Sequence, residues 1–217
     1  FAVPGLACIG LGLVFAWRVP HETEPPAQRK QRASIALAPG QLVRVLAVMT
    51  LASASGGLIF NLTTNGNGQM LAERWASLAA DPSTLGWLLG AVYAVASLAQ
   101  LVVGRLIDRF PLKPMWLAIV LAQVPMLALA AIAPGAWAWL ALLGSMVFIF
   151  GAIPFTDATI VRFVDDRMRS RVAGVRQAVS LAISAGAVWA LGPAVKAAGF
   201  TTLFTVMAGV ALFTAAT

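Results

Sequence analysis

Hydrophobic positions in this chain come in long unbroken blocks and do not alternate with polar ones. The first is FAVPGLACIGLGLVFAW at 1–17, and six more lie near 41–62, 85–104, 115–133, 137–156, 172–194 and 198–217. A hydrocarbon core of about 30 Å is crossed by about 20 apolar residues in a helix. Blocks of that length, rich in Leu, Ala, Val and Gly and lacking a period of two, predict membrane-spanning α-helices and not barrel strands. The fold class is therefore all-α, a polytopic membrane helix bundle. Between the first two blocks, RVPHETEPPAQRKQRASIALAPG (18–40) is polar and proline-rich and predicts a linker. Ala133-Pro134-Gly135-Ala136 reverses the chain so abruptly that 115–133 and 137–156 must be antiparallel neighbours. The segment TTNGNGQ (63–69) predicts a turn at the outer surface.

Composition supports the same solvent. Of the 217 residues 60% are hydrophobic and 11% charged, with a mean hydropathy of +0.86, whereas soluble domains carry about 25% charged residues. The single cysteine, Cys8, rules out a disulfide framework or thiolate metal site and is expected to be a small buried hydrophobe. The single histidine, His21, sits beside Glu22 and Glu24 in the linker and is expected to be solvated. No nucleophile and base share one depth, as an enzyme would need, and no filter-like loop or charged ring suggests a channel. No cofactor and no metal site are expected. No basic residue precedes the first block, so it lacks the head of a signal peptide. It reads as the end of a preceding membrane helix, and the whole as a piece of a longer protein.

The net charge of +7 is explained by topology, with no nucleic-acid partner. If 18–40 is cytoplasmic, alternation places 105–114 and 157–171 on that side. Of the 15 Lys and Arg residues, thirteen then lie inside or at inner span ends, and only Arg74 and Lys196 lie outside. That is a strong positive-inside bias. Trp17 and Trp116 fall near the inner interface, and Trp87, Trp137 and Trp139 near the outer one, where amphipathic rings belong.

Within this pattern GRLIDRFPLKP (104–114) is unusual. No charged residue lies between Asp81 and Arg105, or between Lys113 and Asp157. The positive-inside rule accounts for Arg105, Arg109 and Lys113 but does not require Asp108. Gly104 permits close helix approach, Asp108 suits a helix N-terminus or an arginine, and Pro111 and Pro114 stiffen the turn. Such a cluster is suited to act as a latch. Gly104, Leu106, Asp108 and Arg109, with Lys113, resemble the loop signature of the major facilitator superfamily. Pro111 and Leu112 stand where that signature has a glycine and a basic residue.

The resemblance extends along nearly all of the chain. Residues 1–17 look like the end of the family's sixth helix, 18–40 like its central cytoplasmic linker, and 41–217 like helices seven to twelve. It implies a six-helix half made of two inverted three-helix repeats, about 41–133 and 137–217, facing a missing N-terminal six-helix half across a central cavity. It implies a latch at Asp108 and its basic neighbours that releases as the halves rock. VRFVDDRMRSRVAGVRQ (161–177) resembles the inner loop before the eleventh helix. There Asp165 and Asp166 stand four and three residues before Arg169, a spacing that permits pairing on one helix face. The bland alternative is a solvated basic loop.

Polar residues at membrane depth are candidates for a substrate cavity. Tyr93, Ser97 and Gln100 form one helical stripe, and Gln177, Ser180 and Ser184 another. Asn61 ends the 41–62 block, which also carries Ser53, Ser55, Gly56 and Gly57. Its counterpart in the second repeat carries Gly144, Ser145, Gly151 and Pro154, and for these small residues helix packing is the simpler role. Gln123 falls on the span that resembles the family's ninth helix, a peripheral one in that family, and is not assigned to the cavity. Away from span ends the blocks hold no charged residue. This half therefore offers no fixed charge to an ionic substrate, and a neutral or amphiphilic small molecule is favoured. The expected function is secondary transport, with efflux one direction, across a bacterial inner membrane. A non-transporting membrane scaffold or sensor is the alternative.

Overall fold

Proline, glycine and one aspartate decide where the helices begin and turn. In the computed structural model, which describes residues 2–19, 39–79, 81–164 and 166–216, the helices are α1 (Ala2–Arg18), α2 (Pro39–Arg74), α3 (Ala76–Ala79), α4 (Pro82–Ile107), α5 (Leu112–Ile132), α6 (Gly135–Phe163) and α7 (Asp166–Ala216). Asp81 caps α4, its carboxylate accepting from the backbone N–H groups of Ser83 and Thr84, with Pro82 at the first helical position. Such a cap meets two of the donors that a helix start leaves open. Pro111 and Pro134 precede α5 and α6. Gly135 follows at φ 57°, a left-handed angle that glycine tolerates.

Two compact units make up the chain, Phe1–Ala33 and Ser34–Thr217. The first contains α1, a lone apolar helix with exposed side chains from Gly5 to Val19. Cys8 is among them, so the expectation that it would be buried fails: a single helix has a surface but no interior.

In the second unit, long apolar helices α2, α4, α5, α6 and α7 each suffice to cross a membrane. The 51 residues of α7, at about 1.5 Å each, would make a rod of about 77 Å, far longer than one crossing. Gly199 breaks it, at φ 73° and ψ 170°, a region open essentially to glycine alone. The direction of each segment follows from its neighbours. A Cβ on Gly57 would meet Ser180, Asn61 bonds Ser184, and a Cβ on Gly66 would meet Leu191, so the first segment of α7 runs parallel to α2. Gly66 also faces Phe200, just past the break, while Thr214 near the end of α7 shares a cleft with Arg44 near the start of α2. The second segment thus runs back, and the break at Gly199 falls at the second residue of the predicted block 198–217.

Similar pairings order the rest. Met126 lies against Gly144, Gln123 donates to the Phe148 carbonyl, and Trp116 meets Phe155 edge-on, which makes α5 and α6 antiparallel. Trp139 donates to the Leu88 carbonyl and Gly151 lies against Val103, so α4 and α6 run parallel. Gly57, Gly144 and Gly151 are therefore packing positions, as helices without a hydrophobic drive to associate require. Among the largest buried side chains are Met70, Val92, Leu127, Leu142, Met146 and Phe204, each under 2% exposed. Leu98, Leu101, Leu181 and Val188 point outward, the arrangement of a protein solvated by hydrocarbon.

One sequence expectation is corrected here. TTNGNGQ is no turn: it lies within α2, which continues to Arg74. Thr63 and Asn67, four residues apart, are buried, and Gly66 packs on Phe200. Tertiary contacts override the local turn preference of Asn-Gly pairs.

Candidate functional site

A bundle bathed in lipid must satisfy its amides and hydroxyls internally or turn them toward water or protein. At the seam of α2 and α7, the Asn61 side-chain amide donates to the Gly57 carbonyl (2.9 Å) and to the Ser184 hydroxyl (2.7 Å). Ser180 Oγ stands 3.0 Å from the position of a Cβ on Gly57. Asn61 and Ser180 therefore belong to one polar node. Gln177, on the same helix as Ser180, is exposed.

A second node joins α2 to α4. The Tyr93 hydroxyl donates to the Thr64 carbonyl (3.1 Å) and accepts from the Asn67 amide (3.1 Å). Its ring centroid lies 6.2 Å from that of Phe150 on α6. One turn on, the exposed Ser97 hydroxyl donates back to the Tyr93 carbonyl (2.7 Å). Gln100, half-buried and about two turns before the end of α4, makes no hydrogen bond among the described residues. The predicted stripe is thus divided between an interior end at Tyr93 and an unsatisfied amide at Gln100.

Reading TTNGNGQ as a turn hid part of this site. Asn67 is fully buried. Its amide also approaches Met146 Sδ at 3.5 Å, while Asn67 Oδ1 and the neighbouring Thr64 Oγ1 have no hydrogen-bond partner. Asn61, Asn65, Gln69 and Glu73 recur every four residues along α2, Asn65 donating to the Asn61 carbonyl and Gln69 to the Glu73 carboxylate. The last three are exposed. That four-residue spacing was the available signal, and it is helical.

The charged turn between α4 and α5 is tight, with the Arg109 and Phe110 backbone N–H groups both reaching the Leu106 carbonyl. Asp108 forms the C-cap of α4. Asp108, Arg105, Arg109 and Lys113 are all exposed and form no ion pair among the described residues. A Cβ on Gly104 would meet nothing within 4 Å, so the close approach that glycine permits is not used within the described bundle, where Gly104 borders no packed helix. Asp165 lies outside the described residues, and Asp166 begins α7. The Arg169 guanidinium donates to the Val161 (2.8 Å) and Val164 (3.4 Å) carbonyls, closing the end of α6. At this end of the bundle an ion pair joins Arg176 of α7 to Asp157 of α6 at 2.8 Å. Sequence spacing could not reveal that pair, because Asp157 falls one residue past the predicted 137–156 block and its partner is on another helix.

At the opposite end the Arg74 guanidinium donates to the Ala131 carbonyl and the Thr201 hydroxyl, tying α2, α5 and the second segment of α7. Among the described residues no group of His, Cys, Asp and Glu could hold a metal ion. What the arrangement offers is a set of polar nodes on helices held by small-residue contacts, above a turn of unpaired charge.

Compared with known proteins, the chain matches the model of the Major Facilitator Superfamily over residues 57–217, from the Gly57 contact to the end of the last helix. No curated protein and no solved structure gave a match. With more than half of its length matched, this integral, multi-pass membrane protein belongs to the Major Facilitator Superfamily, a family of membrane transporters of small molecules.

Proposed function

We propose that this chain forms the C-terminal half of a secondary transporter that moves a neutral or amphiphilic small molecule by rocking against an N-terminal six-helix bundle. In this reading α1 is the end of the sixth helix, and the two halves of 41–217 are inverted repeats. One observation carries it: Gln100, inside a membrane-spanning helix about two turns before its end at Ile107, has no hydrogen bond among the described residues. An amide left unmet in hydrocarbon costs several kcal/mol, so its partner is cavity water, the substrate or the facing bundle. Ser97 on α4 and Asn65 and Gln69 on α2 are also exposed polar residues.

Alternation of access needs a closure that can open. The Asp108 turn supplies charges with no partner in the described bundle, suited to a contact with the other half that forms in one state and breaks in the next. Asp157–Arg176 and the Arg169 contacts act within this half and keep it rigid as it moves. The absence of charged residues between Asp81 and Arg105 favours an uncharged or amphiphilic solute, with export one direction and a bacterial inner membrane the setting.

The test is transport by the full-length protein in proteoliposomes, with Asp108→Asn and Gln100→Ala. Asp108→Asn is expected to lower transport at least tenfold with normal insertion, and Gln100→Ala to change apparent affinity or substrate preference. Wild-type behaviour in both variants contradicts the reading.

A further inference from the structure

A cleft of about 580 Å³ opens at the end of the bundle that carries the Asp108 turn, between the start of α2, the start of α5, the end of α6 and the end of α7. Its size falls within the range of about 300–1,000 Å³ typical of ligand clefts. Arg44 and Lys113 stand in its lining, from two different helices, both exposed and neither in a hydrogen bond or ion pair among the described residues. Trp116, Phe155 and Phe163 form much of its wall, and Thr159 adds a hydroxyl already donated to the Phe155 carbonyl at 2.7 Å. The cleft thus combines two cations, unpaired among the described residues, with an apolar, aromatic body.

This chemistry selects an occupant. A small hydrophilic anion would use the cations but leave the aromatic wall in contact with water. A neutral lipid tail would fill the wall but leave the cations without a counter-charge. A phospholipid with net negative charge satisfies both, its phosphate between Arg44 and Lys113 and its glycerol and first methylenes against Trp116 and Phe155. The surroundings attract such lipids: Arg105, Arg109, Arg162, Arg169, Arg171 and Arg176 lie toward the same end, and basic segments at a membrane surface draw anionic lipids. Trp at this level is an interfacial residue.

We propose that this cleft is a binding site for an anionic phospholipid, held at its phosphate by Arg44 and Lys113. It is separate from the polar nodes around Tyr93 and Asn61, shares Lys113 with the charged turn, and does not rest on the transport reading.

Trp116 in the wall provides the probe. The protein is placed in nanodiscs containing phosphatidylcholine and a fraction of either brominated phosphatidylglycerol or brominated phosphatidylcholine, and tryptophan quenching is compared. The expected result is stronger quenching by the brominated phosphatidylglycerol, with the excess removed by Trp116→Phe. Arg44→Gln combined with Lys113→Gln is expected to weaken that lipid's binding about 25-fold, from about fivefold for each charge lost (about 1 kcal/mol each). Equal quenching by the two lipids overturns the proposal, as does an excess that survives Trp116→Phe. If the double variant does not insert, the comparison of wild type with Trp116→Phe decides alone.

Discussion

Asn67 is fully buried, with its side-chain oxygen unpartnered among the described residues and its amide shared between Tyr93 and Met146. Interhelical hydrogen bonds of this kind in membranes average about 0.6 kcal/mol and reach about 1.7. Tyr93→Phe should therefore lower stability by about 1 kcal/mol, because it leaves the Asn67 amide with sulfur alone. Asn67→Leu removes the buried donor and acceptor together and should cost little more when combined with Tyr93→Phe than alone. Thermal unfolding of the two single variants and the double variant in detergent checks this, and strictly additive losses would show that the two residues do not interact. Asp81 shows the opposite case, a charge at the surface. The Thr84 hydroxyl, followed by the Ser83 backbone N–H, holds its carboxyl below the ordinary range. A carboxyl so depressed contributes stability above its unfolded-state pKa and loses it as pH falls through the lower folded value. Asp81→Asn, which can cap but does not titrate, should flatten the fall in unfolding temperature below about pH 4. An unchanged acid slope would remove the cap from the account.

Among the elements, those bounded by strong punctuation were readable from sequence. Ala133-Pro134-Gly135-Ala136 gave the α5–α6 reversal, and the short interval between 194 and 198 located the break in α7 near Gly199. The length of α2 was not readable. Asn-Gly pairs favour turns in isolation, and only burial of Thr63 and Asn67 and the packing of Gly66 on Phe200 keep them helical. The same blindness hid the Asp157–Arg176 pair, because which charged residues meet across helices depends on rotation and tilt that spacing does not encode. With Asp157 more than two-thirds exposed, that pair is worth about 0.2–1 kcal/mol. Gly199 is a sharper structural requirement. Its backbone excludes a side chain, so Gly199→Ala should cost about 1–3 kcal/mol. Gly209→Ala, in the second segment of α7 with open space around it, should be neutral or stabilising by up to about 1 kcal/mol. Equal unfolding temperatures for the two variants would argue against a break at Gly199.

As a whole molecule, the chain separates two kinds of surface. Leu98, Leu101 and Val102 on α4 suit hydrocarbon, whereas Ser97 and Gln100 on the same helix do not. The polar stripe was legible in the sequence through its helical spacing. Its division into a packed end at Tyr93 and an unmet end at Gln100 was not, because it depends on where α2 and α6 lie. The account rests on the claim that the Gln100 side of α4 faces a water-accessible cavity, and cysteine accessibility tests it directly. Cys8, the one thiol of this chain, is first removed by Cys8→Ser, then Gln100→Cys and Leu98→Cys are each introduced and treated, in the membrane, with a water-soluble maleimide. Gln100→Cys should react and Leu98→Cys should not, since a thiolate forms in water and not in lipid. If Gln100→Cys stays as unreactive as Leu98→Cys, that side of the helix faces lipid or packed protein, and the cavity does not exist where the account places it.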